Sequence, residues 1–148
     1  MMGIDTIMFR TLDEGLYVSP QIGVDEVAEA AGLGVKLIIN NRPEGEEPGQ
    51  PTGAEIEAAA AAHGIAYVAI PVTHAGFSMP QLDATLTAME AAEGPILAYC
   101  RSGTRSTLLW ALTRAKQGDT PDLLAAKAAN AGYDLSAIRA MLDSLSAR

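Results

Sequence analysis

The chain is short of several things, and each shortage excludes a class of function. It has one cysteine, Cys100, in 148 residues. An intrachain disulfide is therefore impossible, and this usage fits a reducing compartment. One cysteine and two separated histidines, His63 and His74, make no zinc-binding pattern unless carboxylates are recruited, so no metal and no cofactor is implied. Basic residues are scarce as well. Ten Lys and Arg against eighteen Asp and Glu leave a formal charge of −8, and no basic face is available for nucleic acid or an anionic membrane. Met1–Arg10 lacks a basic segment followed by an apolar run, so no signal peptide is expected. No stretch approaches bilayer length, and a cytoplasmic location follows. There is no internal repeat.

What is present describes one globular domain over residues 1–148. Nearly half the residues are apolar and the length suffices for an ordinary core. Apolar runs at Gly15–Ser19, Val35–Asn40, Ile65–Val72 and Pro95–Tyr99 read as strands. Between them lie helical stretches at Gly23–Gly32, Thr52–His63 and Met79–Ala92. Thr52 and Glu55 have the spacing of a capping box. Helices at Ser106–Lys116, Asp122–Ala131 and Leu135–Leu145 complete the chain. This β-α-β-α-β-α-β order followed by helices implies an α/β fold, a mostly parallel sheet of four to five strands flanked by helices. Trp110 and Tyr133 read as packing residues.

The most informative stretch is Pro95–Trp110, in which an apolar strand leads through Cys100-Arg101-Ser102-Gly103-Thr104-Arg105 into a helix. Backbone N–H groups curling over a helix N-terminus form a concave donor array, and the helix dipole adds positive potential. A thiol placed there beside Arg105 is expected to ionise more readily than a free one, which makes Cys100 a candidate nucleophile. Gly103 permits a sharp turn, and Arg105 can offer its two-pronged guanidinium to an oxyanion. The competing reading is a buried structural cysteine at a strand end.

Cys100-Arg-Ser-Gly-Thr-Arg105 resembles the active loop of rhodaneses, in which four residues separate cysteine from arginine. The surrounding chain is similar to the compact dual-specificity phosphatases, whose loop is one residue longer and continues Arg-Ser into the helix, as Arg105-Ser106 does here. Val18-Ser-Pro-Gln-Ile22, Ile39-Asn-Asn-Arg-Pro-Glu-Gly-Glu46 and Tyr99–Ser106 together resemble a bacterial family that joins these features. Its members are called beta-lactamase hydrolase-like or phosphatase-like domains and are also labelled sulfurtransferases. The resemblance implies a phosphotyrosine-protein-phosphatase-like fold of the dual-specificity type. It also implies a link to metallo-beta-lactamase-fold partners in sulfur oxidation.

Other candidates cluster at strand ends, where ligand-facing groups gather in open α/β sheets. Asn41 and Arg42 are candidate rim residues, or else caps of the sheet edge. Glu44, Glu46 and Glu47 in the long Asn40–Gly53 loop read as a solvated acidic rim. Dual-specificity phosphatases carry an aspartate general acid in the loop that corresponds to Pro71–Ser78, which has no Asp or Glu here. His74 is the candidate for that role; the alternative is a loop histidine that only hydrogen-bonds the backbone.

Loop length decides the order of hypotheses. The short loop narrows the cradle toward a persulfide, and persulfide transfer needs no strong general acid. The leading expectation is a sulfurtransferase in which Cys100 takes sulfane sulfur from a small anionic donor and passes it to a thiol or cyanide. The N–H groups of Arg101, Ser102, Gly103, Thr104 and Arg105 would hold the persulfide, with Ser106 closing the loop. The alternative is a cysteine-dependent phosphatase acting on phosphoesters through a cysteinyl-phosphate. A third is a non-catalytic anion- or redox-sensing module.

Overall fold

The structure is a computed structural model that describes residues 9–147. The leader-peptide expectation at Met1–Arg10 falls almost wholly outside them. Five strands form one sheet in the order β1-β2-β5-β3-β4. They are β1 Arg10–Asp13, β2 Leu16–Ser19, β3 Leu37–Asn40, β4 Ala66–Ala69 and β5 Ile96–Tyr99. Strands β2 to β5 run parallel, as expected, and β1 is antiparallel to β2. The β1–β2 hairpin was not expected. Its turn is Glu14-Gly15, with Gly15 at φ 74°, and polar Arg10, Thr11 and Asp13 hide the apolar alternation.

Alternation along the two central strands sorts the core into two layers. Leu37, Ile39, Ile96 and Ala98 face one way, with Leu16 and Val18, and pack against Leu109, Leu112, Leu124 and Leu142. Ile38, Leu97 and Tyr99 face the other way and meet Ile22, Val27, Val35, Ile56 and Ala60. The helices α1 Val24–Gly32 and α2 Gly53–Ala62 therefore cover one face, where Ile, Val, Leu and Ala side chains and Tyr99 fill the layer. The helices α3 Met79–Ala91, α4 Thr104–Lys116, α5 Pro121–Asn130 and α6 Arg139–Ser146 cover the other. Both β3 and β5 are buried along their whole length, as an interior parallel strand requires.

Local chemistry sets the element ends. Thr52 Oγ1 accepts from the Glu55 N–H at 3.1 Å, which forms the threonine half of the expected capping box. The Ser78 N–H donates to Gln81 at 2.8 Å and opens α3. The final helix is shorter than its apolar stripe predicts. Asp134 accepts from the Ser136 N–H at 2.9 Å and so opens a 3-10 turn, Ser136–Ile138, before α6 begins. Among the described residues no helix is long and apolar enough to cross a membrane.

β5 lies between β2 and β3, so the residue after Tyr99 emerges at the middle of the sheet's C-terminal edge. That residue is Cys100.

Candidate active site

Neighbouring strand ends stitch the loop in place. The Cys100 N–H donates to the Ser19 carbonyl at 3.4 Å, and the Gln21 N–H donates to the Arg101 carbonyl at 3.2 Å. Gly103 has φ 92°, a left-handed geometry, and caps α4, which starts at Thr104, two residues before the expected Ser106. A Cβ there would collide with the Tyr133 hydroxyl, so only glycine fits. Tyr133 in turn donates to the Ser102 carbonyl at 3.0 Å. It therefore braces the loop from behind, beyond the packing role read from sequence.

Cys100 is fully buried beneath this loop. Its sulfur accepts one backbone hydrogen bond, from the Gly103 N–H at 3.1 Å. The Thr104 N–H turns to Ser102 Oγ at 3.3 Å, and the Ser102 and Thr104 hydroxyls bond each other at 2.9 Å. Among the described residues neither the buried Ser106 Oγ nor Trp110 Nε1 finds a hydrogen-bond partner. Both border a small gap between the sheet and α4.

Arg105 carries the principal charge. Nη1 donates to Glu46 Oε2 at 2.7 Å and to the Val72 carbonyl at 2.8 Å, while Nη2 donates to Glu46 Oε1 at 2.9 Å. This is a two-pronged guanidinium–carboxylate pair. Arg42 approaches the same carboxylate from the buried side. Its Nε donates to Glu46 Oε1 at 2.9 Å, Nη2 to Glu47 Oε1 at 2.8 Å and Nη1 to Gln21 Oε1 at 3.0 Å. Glu47 also lies 3.5 Å from Arg101 Nη2. Glu44 accepts from the Gly53 N–H at 2.9 Å, at the head of α2.

These contacts correct one expectation. Glu46 and Glu47 are not a solvated rim; together they bind three arginines, because burying Arg42 demands carboxylate partners. The Arg105 hydrogen bond, reinforced by Arg42 against the opposing effect of burial, pulls the Glu46 carboxyl down to about 2. Arg105 is shifted up, chiefly by its bonds to Glu46 and further by the nearby Cys100. Burial works against the charge of Arg42, but its hydrogen bonds to Glu47 and Glu46, with the charges of both carboxylates, outweigh it.

A hollow of about 520 Å³ opens over the loop, lined by Pro43, Glu46, Thr73, His74, Arg101 and Arg105. The structure thus brings together His74, Arg101 and Arg105. The exposed His74 makes no side-chain hydrogen bond with the described residues, whereas its neighbour Thr73 turns the loop by accepting from the Ala75 N–H at 3.1 Å. Asn41 stands apart from the hollow. It is buried and ties β3 to the end of β4 through Nδ2 and the Ile70 carbonyl at 2.8 Å. Among the described residues no cluster of His, Cys, Asp or Glu is suited to a metal.

The match to known proteins follows the same geometry. Residues 8–117 match the family described as beta-lactamase hydrolase-like protein, phosphatase-like domain. The chain belongs to this family. A beta-lactamase hydrolase-like protein of Xylella fastidiosa is 38% identical over 107 residues, 72% of this chain and 25% of that protein. The chain thus spans about a quarter of the length of the curated relatives it matches. Among solved structures, a candidate phosphatase from Neisseria meningitidis is 37% identical with a TM-score of 0.83, over 94% of this chain and 98% of the other. A mouse candidate dual-specificity phosphatase superposes with a TM-score of 0.73 at 20% identity, over 99% of this chain and 91% of the other. The phosphatase-like domain family thus has here the fold of the dual-specificity phosphatases, with Cys100 directly after β5 and Arg105 in the first turn of α4.

Proposed function

We propose that this phosphatase-like domain is a cysteine-dependent phosphoester hydrolase. The observation that carries the reading is the Arg105 fork: a guanidinium at the head of α4, one loop from Cys100, with both prongs directed at a pair of carboxylate oxygens. Two phosphoryl oxygens present the same donor-matched spacing. In the reaction, substrate takes the place of Glu46 on the fork and Cys100 Sγ attacks phosphorus. The P–O bond breaks, and a proton from His74 or water goes to the departing oxygen. Water then cleaves the cysteinyl-phosphate and releases phosphate, with Arg105 and the loop amides stabilising the charge that develops.

Steady-state hydrolysis of p-nitrophenyl phosphate tests this. Turnover is expected for the wild-type chain and lost in Cys100→Ser. Equal rates in the two proteins reject the reading.

Sulfur transfer is the second reading, favoured by the four-residue spacing between Cys100 and Arg105. Thiosulfate treatment followed by intact-mass measurement separates the two. A gain of one sulfur in the wild type but not in Cys100→Ser, without phosphate turnover, selects sulfur transfer.

A further inference from the structure

We propose that Arg101 and His74 form a seat for a second, departing phosphate, so that the substrates are phosphoanhydrides rather than phosphate esters of alcohols. The inference rests on the phosphatase reading above.

The first argument concerns the leaving group. An alcohol departs as an alkoxide unless a proton reaches it, whereas a phosphate, whose second ionisation lies near ~6, departs as a stable anion. The phosphatase loop after β4 has no carboxylic acid. Among the described residues the only carboxyl group lining the hollow is Glu46, and it is held ionised between Arg42 and Arg105. Its pull-down to about 2 leaves it no proton to give near neutrality. The hollow thus holds no carboxylic acid for alkoxide departure, and a leaving group that needs no proton frees His74 to hold the departing anion instead.

The second argument concerns charge. Arg105 is saturated, with three short hydrogen bonds. Arg101, the residue next to Cys100, is in the opposite condition. Its side chain is 66% exposed and its one ion pair among the described residues, to Glu47, is 3.5 Å long. It lines the hollow together with His74 and keeps donors free for a second anion beside the reacting one.

The third argument is shape. At about 520 Å³ the hollow exceeds what one phosphoryl group needs, yet no aromatic side chain of the described residues lines it. Phe77, the one aromatic residue of the adjoining loop, packs against the core, as do Trp110 and Tyr133. Tyr17, Tyr67 and Tyr99 lie in the layer on the other sheet face. An aryl leaving group finds no surface to stack on.

The chemistry balances without a redox partner. Cys100 Sγ bonds to the terminal phosphorus as the bridging P–O bond breaks, and that electron pair stays on the bridging oxygen. The oxygen leaves as part of a phosphate held by Arg101 and His74. Water then attacks the cysteinyl-phosphate, the S–P electrons return to sulfur, and inorganic phosphate departs with the water's oxygen and one of its protons, the other passing to solvent.

Phosphate release from tripolyphosphate, p-nitrophenyl phosphate and glycerol phosphate is compared for the wild type, Arg101→Gln and Arg101→Lys. Circular dichroism confirms that each is folded. The expected kcat/KM for tripolyphosphate exceeds that for glycerol phosphate by at least about tenfold. In Arg101→Gln the ratio of tripolyphosphate to p-nitrophenyl phosphate falls about tenfold, mainly through KM, as loss of a charge-assisted phosphate contact implies. Arg101→Lys restores part of it. An unchanged ratio in Arg101→Gln, or glycerol phosphate cleaved as well as tripolyphosphate, overturns the proposal while hydrolysis of p-nitrophenyl phosphate by the wild type upholds the phosphatase reading. Absence of phosphate release from all three overturns both.

Discussion

Glu46→Gln removes one negative charge from the junction of Arg42 and Arg105 while keeping the side chain's size. A carboxyl drawn from 4.5 down to about 2 reports a stabilised anion. At ~1.4 kcal/mol per unit the ceiling is roughly 3 kcal/mol. The carboxylate is 21% exposed and therefore partly screened. Arg42 also keeps Glu47 after the change, so no buried charge is orphaned. The expected loss near neutral pH is about 1–2 kcal/mol, read from urea denaturation with the m-value unchanged. Because the folded-state value is depressed, this contribution is complete above the unfolded value near 4.5 and vanishes as pH falls toward about 2. The stability gap between wild type and Glu46→Gln should therefore be flat above about pH 5 and should close on acidification. A gap that stays constant or widens on acidification refutes the ion-pair account of this junction.

Three further substitutions probe the loop's supports. Gly103→Ala places a Cβ against the Tyr133 hydroxyl at φ 92°, and a loss of at least about 2 kcal/mol is expected by calorimetry; an unchanged Tm contradicts the fit. Tyr133→Phe removes the donor to the Ser102 carbonyl and should cost about 1 kcal/mol of urea stability, with a larger proportional loss in p-nitrophenyl phosphate turnover if the loop is what it braces. Ser106→Ala should leave stability within about 0.5 kcal/mol or raise it, because its buried hydroxyl is unpartnered. A large loss there means the hydroxyl has a bonding partner in solution.

Most of the fold is legible because the central strands are uninterrupted apolar runs with both faces covered. Leu37-Ile38-Ile39 and Ile96-Leu97-Ala98 announce a buried parallel sheet before any contact is known. The β1 hairpin is not legible, since Arg10 is stabilised by a distant partner, the Ala131 carbonyl at 3.0 Å. The break before α6 is a case of local polar chemistry overriding periodicity. Leu135, Ile138 and Leu142 keep their buried stripe, but Asp134 and Ser136 spend their side chains on a turn.

Around the Cys100 loop the sequence and the structure diverge for an electrostatic reason. A chain with a formal charge of −8 reads as acidic throughout, and three glutamates in four positions from Glu44 to Glu47 look like surplus surface charge. In space, Glu46 and Glu47 are the local counter-ions of Arg42, Arg101 and Arg105. The signal available was complementarity: an arginine buried after a strand end needs nearby carboxylates, and Glu46 and Glu47 follow Arg42 at four and five residues. The arrangement has a functional corollary. An anion that reaches Arg105 must displace a carboxylate already bound by both prongs, so the site offers its full charge only to ligands carrying more negative charge than Glu46 does. Monoanions such as acetate or chloride should therefore compete poorly with a phosphate dianion at equal concentration, and Glu46→Gln should narrow that difference in inhibition measurements.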